Sequence, residues 1–292
     1  MFRLFSFLCI FFFCSAVNAG DFQNIEQRKI KVSNGVVEFY QYKPNLKYKE
    51  LYKGVIFLLT ANNIDPLNLI SKSDILSIAS QEKYILVSLS TSKDYKWFDA
   101  HAPGSDINIK LLDFITTEKN LKTDKMSKEP VNFVIAHGKA ANPFYTSLCR
   151  KNNRYRNLFI LNSLPDKNYF KKCDSIYLDK FLVLAGTKDP LNNFYGDFYK
   201  LSVFELIREM SNRGSCSDIE TSLNITDINK MDGTDSTLYT LDCKNLYLHY
   251  MKVNNGGFYF PKIKAAASLK EYGSPIFDYS VGEFFYKYMI KD

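Results

Sequence analysis

With 292 residues, 46% of them hydrophobic and 15% aromatic, the chain has the size of a one-domain enzyme and enough apolar material for a large core. Its net charge of +7 comes from lysines scattered along the chain, as in KYKELYK and KNYFKKC, without one dense basic block. Such charges read as solvated faces and exclude nucleic acid as an expected partner. After the N-terminus no apolar run approaches the roughly eighteen residues of a membrane helix, which excludes a membrane-spanning protein.

Arg3 supplies a positive start, and LFSFLCIFFFC, Leu4 to Cys14, is an apolar run too short to span a bilayer comfortably. Val17 and Ala19 then put small residues before Gly20, the pattern of a signal peptide cut after Ala19. Bulky residues precede Cys9 and Cys14, against a lipid-anchored leader. Residues 1–19 are therefore expected to be a signal peptide and 20–292 one domain, exported to the periplasm or beyond the cell. The richness in Lys, Asn, Tyr, Phe and Ile is in keeping with an AT-rich bacterial genome.

Cys9 and Cys14 leave with the signal. The remaining four, Cys149, Cys173, Cys216 and Cys243, form an even set in an oxidising compartment and read as two disulfides. Three connectivities are open. Pairing sequence neighbours, Cys149–Cys173 and Cys216–Cys243, makes the shortest loops and is the first expectation. No Cys-x-x-Cys or His-x-x-x-His spacing occurs, so neither a metal nor a cofactor is expected.

In chain order, GVVEFYQY (35–42) predicts a strand of mixed burial and KGVIFLLTA (53–61) a fully buried one. NLISKSDILSIASQEK (68–83) has helical spacing, with Leu69, Ile70, Ile75, Leu76 and Ile78 on one broad face. YILVSLS (84–90) is a strand, a loop holds Trp97 in YKWFD, and 105–120 is a helix with Ser105 as N-cap. VNFVIAH (131–137) is a strand, 145–152 a helix, and 156–163 and 180–189 are strands. A helix over 201–214 is closed by Gly214, a last strand spans 246–254, and a last helix 281–292. This alternation predicts an α/β protein with a mostly parallel sheet covered on both faces. Ligand sites in such sheets lie at the C-terminal strand ends. Those ends are Thr60–Asn63, His137–Lys139, Asn162–Pro165, Gly186–Asp189 and Asn254–Phe260.

In this order the strand ends resemble those of the polyhydroxybutyrate depolymerase and feruloyl esterase group of secreted α/β-hydrolases. The likeness runs from about Glu26 to the C-terminus. KGVIFLLTANN stands where the family has a buried strand ending in a His-Gly oxyanion loop, and YKWFD resembles its Trp-Phe loop. LNSLP matches its post-nucleophile strand, and LAGTKDPLNNFYG its HGTxDPxxPYxG segment. LSVFELIREMSNRGSCS is similar to its helix ending in Asn-Gly-Cys, and VNNGGFYFP to its GGGHTWP loop. The family has cysteines matching all four here, which supports the neighbour pairing. The resemblance implies an α/β-hydrolase fold and a carboxylic ester hydrolase.

An acyl-transfer triad needs a nucleophile on the elbow, an acid, and a histidine, in the order Ser, Asp, His. The family's Gly-x-Ser-x-Gly falls on AHGKA, Ala136 to Ala140, so its nucleophile slot holds Gly138. Asp189 matches the acid. The histidine falls on Phe258, which moves no proton, and the oxyanion His-Gly becomes Thr60-Ala61, with Lys139 following the nucleophile slot. Two of three triad members are thus replaced, and such residues act as a unit. Of the three histidines, His101 lies in the loop after Trp97, His137 beside the elbow reads as packing, and His249 reads as a satisfied strand residue. Ser147 and Cys149 are expected in the helix after the elbow, while Ser90 and Ser163 end strands without a basic partner. Lys139 is expected on the first helical turn, reaching solvent; a lysine nucleophile calls for burial. Asp189 before Pro190 also suits a turn. Trp97, Phe258, Tyr259 and Phe260 are candidates for a ligand pocket, stacking on an aromatic or sugar ring, and the last three equally suit filling an emptied pocket. Two readings follow: an esterase-like protein without its serine chemistry that binds a small-molecule or protein ligand, or an ester hydrolase with a displaced constellation built on Lys139, Ser163 or a water.

Overall fold

The computed structural model describes residues 24–32, 35–60, 65–90, 106–117, 121–225, 233–257 and 281–291. The strands among these residues are β1 (Ile25–Val32), β2 (Gly35–Tyr42), β3 (Gly54–Thr60), β4 (Tyr84–Ser90), β5 (Phe133–His137), β6 (Asn157–Leu161), β7 (Lys180–Gly186), β8 (Cys216–Ile225), β9 (Asp235–Cys243) and β10 (Tyr247–Asn254). They form one sheet in the order β1-β2-β4-β3-β5-β6-β7-β10-β9-β8. From β4 to β10 every neighbouring pair is parallel. The pairs β1/β2, β2/β4, β10/β9 and β9/β8 are antiparallel.

Parallel strands buried on both faces require continuous apolar runs. All residues of β3 and β5 are buried. Side chains alternate between two cores. Val55, Phe57 and Leu59 join one core with α3 (Asp106–Ile115), α4 (Asn142–Ser147) and α5 (Val203–Gly214). Ile56 and Leu58 join the other with α1 (Pro66–Lys72), α2 (Ile75–Glu82) and α6 (Val281–Phe285).

Several sequence expectations need correction. β1, β8 and β9 are strands that the apolar pattern did not predict; they lie toward the sheet's two margins, and their half-polar segments gain order from ladder partners. The single helix expected over 68–83 is two. Asp65 caps α1 by accepting the N–H groups of Leu67 and Asn68. The chain then turns at Asp74 (φ 57), where the Gly282 N–H donates to the Ser73 carbonyl at 3.0 Å. α3 stops at Ile115, short of residue 120. The helix after the elbow starts at Asn142 rather than 145 and ends at Ser147, so Cys149 lies in the following turn. α5 ends at Gly214, but the left-handed cap is Ser215 (φ 55). α6 passes after Phe285 into wider π-type turns over Tyr286–Lys291. Ser105 and residues 1–19 lie outside the described residues.

The disulfides join Cys149 to Cys173 and Cys216 to Cys243, with Cα separations of 5.3 and 3.7 Å. The second pair are ladder partners in β8 and β9. Two disulfides belong with an oxidising compartment. No helix among the described residues is long and apolar enough to cross a membrane.

Candidate active site

β3, β5, β6, β7 and β10 end along one edge of the sheet. Thr60 pairs with His137 in the β3/β5 register, and Thr60 is fully buried. β5 leaves the sheet abruptly. His137 is extended (φ −106, ψ 130), Gly138 takes φ 60, and a 3₁₀ turn over Gly138–Ala141 leads into α4. A left-handed φ directly after a buried strand suits glycine, which has no Cβ to strain. The backbone therefore makes a sharp strand-to-helix turn whose first residue presents no reactive atom. Lys139 on that turn is exposed, as expected. His137 is buried, and desolvation lowers its pKa to about 3, so its imidazole stays neutral near pH 7.

Asp189 sits on the loop after β7 and is 4% exposed. Its Oδ1 accepts the N–H of Leu191 at 2.8 Å and of Asn192 at 3.0 Å, so the carboxylate does shape a turn. Asn192 Nδ2 donates to the Asn162 carbonyl at 2.7 Å and reaches Asp189 Oδ2 at 3.4 Å. Lys200 Nζ donates to Asn192 Oδ1 at 2.7 Å. Burial raises the Asp189 pKa to about 6, with the Asn192 and Leu191 hydrogen bonds and the Lys200 charge opposing it. A carboxyl held there can exchange a proton near neutrality, which a general acid or base requires. Its hydrogen-bond partners among the described residues are Leu191 and Asn192, neither a histidine.

The acid loop is fastened to its neighbours on both sides. Asn162, at φ 49 after β6, accepts the Gly186 N–H through Oδ1 at 3.3 Å. On the other side the N–H groups of Thr187 and Lys188 donate to the carbonyls of Val253 and Gly256, both at 2.9 Å. A Cβ on Gly186 would run into the Gly256 carbonyl, so glycine permits this approach. Asp189 thus lies on the loop locked to the stem that leads toward position 258.

The other candidates are dispersed. Ser147 Oγ donates back to the Phe144 carbonyl at 2.9 Å. Ser163 is buried, and its carbonyl accepts the Tyr145 hydroxyl at 2.9 Å. His249 is buried mid-strand, with Nδ1 2.8 Å from Thr240 Oγ1 and its ring against Tyr288. Ala61, Trp97, His101, Phe258, Tyr259 and Phe260 lie outside the described residues. Sequence reasoning placed Asn162 at a strand end without a role, and missed Asn192 and Lys200. The Asp-x-x-Asn spacing of Asp189 and Asn192 was a local turn signal; Lys200 had none. A separate cavity of about 390 Å³ lies at the opposite ends of the strands, lined by Val55, Thr116, Met126, Pro130, Asn132 and Arg154.

No family model matches the chain, and no curated protein sequence does. Among solved structures it is similar to an acetyl xylan esterase from Aspergillus awamori, with a TM-score of 0.56 and 9% identity over 84% of this chain and 98% of that one. It is also similar to an S-formylglutathione hydrolase from Agrobacterium tumefaciens, with a TM-score of 0.46 and 12% identity over 64% of this chain and 81% of that one. A fluorophosphonate-binding serine hydrolase of Staphylococcus aureus gives a TM-score of 0.47 and 12% identity over 64% and 86%. The fold is the α/β-hydrolase fold.

Proposed function

We propose that this chain is a secreted relative of polyhydroxybutyrate depolymerases and feruloyl esterases that has lost serine-hydrolase chemistry and acts by binding a small-molecule or protein ligand. The observation that carries the reading is Gly138: it occupies the left-handed position at the end of a central strand, where an α/β-hydrolase exposes its nucleophile, and it has no side chain. Phe258 in the histidine slot points the same way, since a triad without its base and its nucleophile keeps only binding and backbone donors. The chain is read as a signal peptide over 1–19 and one domain over 20–292, and the two disulfides fit export.

A second reading rests on Asp189. A buried carboxyl with a pKa near 6 is the kind of group that a hydrolase with a displaced constellation would use, with Ser163, Lys139 or a water as attacking group. Hydrolysis of short-chain p-nitrophenyl esters by the chain from Gly20 onward, beside Asp189→Ala, separates the two. The first reading expects the rate of the buffer blank from both proteins. Turnover that Asp189→Ala abolishes would establish the second, and a serine mapped by a fluorophosphonate probe would identify its nucleophile.

A further inference from the structure

The segment after Asp189 carries large side chains that the acid slot does not use. Leu191, Tyr195, Phe198 and Tyr199 are exposed, as is Phe204 on the first turn of α5. Large apolar groups gathered on one surface segment, rather than scattered singly, mark a contact surface. The backbone beneath them is fixed. Asp197 N–H donates to the Lys200 carbonyl at 3.2 Å, and its carboxylate accepts the N–H groups of Tyr199 and Lys200, both at 2.7 Å. Phe198 and Tyr199 therefore occupy the two middle positions of a tight turn, 84% and 73% exposed. The Lys167 N–H donates to the Tyr199 carbonyl at 2.9 Å, and the Leu201 N–H to the Pro165 carbonyl at 3.0 Å, tying the turn to the segment after β6. Behind it, the buried Phe194 ring meets Tyr195 and Phe204 edge-on.

Charge and ring geometry indicate what such a turn meets. Two carboxylates beside it are turned onto backbone, Asp197 as above and Glu205 onto the Ser202 N–H at 2.7 Å, while Asp166, the bridge partner of Lys200, offsets the charge of that lysine. The side chains of Lys139 and Lys167 are exposed on the same rim, on a protein of net charge +7. A sugar chain stacks best on rings that share a plane, and these are crossed, with Phe198 at 84° to Tyr199 and Phe194 at 74° to Tyr195. A lipid interface has no such requirement. It receives apolar tips at the acyl boundary, holds phenol rings at headgroup level and attracts lysines when the headgroups are anionic. We infer that the turn Asp197–Lys200, flanked by Leu191, Tyr195 and Phe204, docks this protein onto an anionic phospholipid surface, with Lys139 and Lys167 contributing the charge attraction. The edge of the sheet that carries Asp189 would then face the membrane.

Vesicle co-sedimentation tests this without any substrate, so its outcome is independent of the hydrolase question. The chain from Gly20 onward contains every described element and lacks the apolar leader. It is mixed with vesicles of phosphatidylcholine alone, or of phosphatidylcholine with phosphatidylglycerol. Binding to the anionic vesicles, weakened by salt, is expected. Phe198→Ser with Tyr199→Ser should weaken it about tenfold while leaving the unfolding midpoint in place, because both side chains are in solvent. Phe198→Ser alone should show a smaller loss, and Lys167→Gln a loss on anionic vesicles only. Equal affinity for both vesicles, binding to neither, binding indifferent to the aromatic substitutions, or retention on insoluble polysaccharide alone would each overturn the inference.

Discussion

Asp189 shows how far surroundings control a single side chain. Burial favours its protonated form, so the folded chain holds a proton that the unfolded chain has already released between pH 3.8 and about 6. The resulting penalty is absent below 3.8 and complete above about 6. Asp189→Asn keeps an oxygen for the Leu191 and Asn192 N–H groups and cannot ionise. The variant should be more stable than the wild type near neutral pH by roughly 1–3 kcal/mol, with the gap closing toward about pH 4. Urea midpoints at the two pH values check this, and a gap independent of pH would refute it. His137 acts in the opposite sense. Its folded pKa lies below the ordinary 6.5, so its contribution is present at neutral pH and lost as the medium is acidified toward about 3. The comparison must therefore be between variant and wild type, not along one curve.

Among the elements, α5 is the clearest case of local sequence fixing a boundary. Ser202 Oγ accepts the Glu205 N–H at 3.1 Å, and the Glu205 carboxylate accepts the Ser202 N–H, a reciprocal capping box. The helix then buries Val203, Leu206, Ile207 and Met210 against the sheet, at about 1.5–3 kcal/mol for each fully buried aliphatic side chain. Ser202→Ala should cost about 1 kcal/mol, a fall of roughly 2–4 °C in melting temperature for a chain of this size. Glu205→Gln should cost less, because its amide oxygen still accepts the Ser202 N–H. Calorimetry of the two variants makes the comparison, and equal losses would argue against the reciprocal cap.

For the molecule as a whole, the two disulfides span nearly equal sequence separations, 24 and 27 residues. If the constraint on the unfolded chain dominates, each should stabilise by about 2–4 kcal/mol, and replacing either pair by serines should cost nearly the same. The alternative is that their settings differ: Cys216–Cys243 links strands already paired along a ladder, whereas Cys149–Cys173 joins two turns. Denaturant unfolding of Cys149→Ser/Cys173→Ser and of Cys216→Ser/Cys243→Ser measures this directly. A much larger loss for the first pair would mean that the native framework, rather than the unfolded chain, sets the effect. The segment that buries Asp189 also carries Phe198 and Tyr199 into solvent, so the site and its rim belong to one loop.

The apolar runs by themselves determined the parallel strands β3 to β7 and β10, because burial on both faces demands uninterrupted hydrophobic sequence. They also marked the sharp turn at Gly138, where a glycine directly follows a buried strand. Cysteine order left three pairings open and favoured the one observed. Three-dimensional contact was needed for the rest. β1, β8 and β9 are strands by virtue of ladder partners, and their own composition is too polar to announce it. At the break between α1 and α2 the Ser73 carbonyl is met by Gly282 from the far end of the chain, a partner that no local pattern announces. The charge state of Asp189 follows from desolvation, opposed by the nearby Asn192 and Leu191 and by the charge of Lys200, which no local pattern announced. Hydrophobic periodicity is local and can be read along a chain, whereas hydrogen-bond partners and the loss of water exist only once distant segments meet.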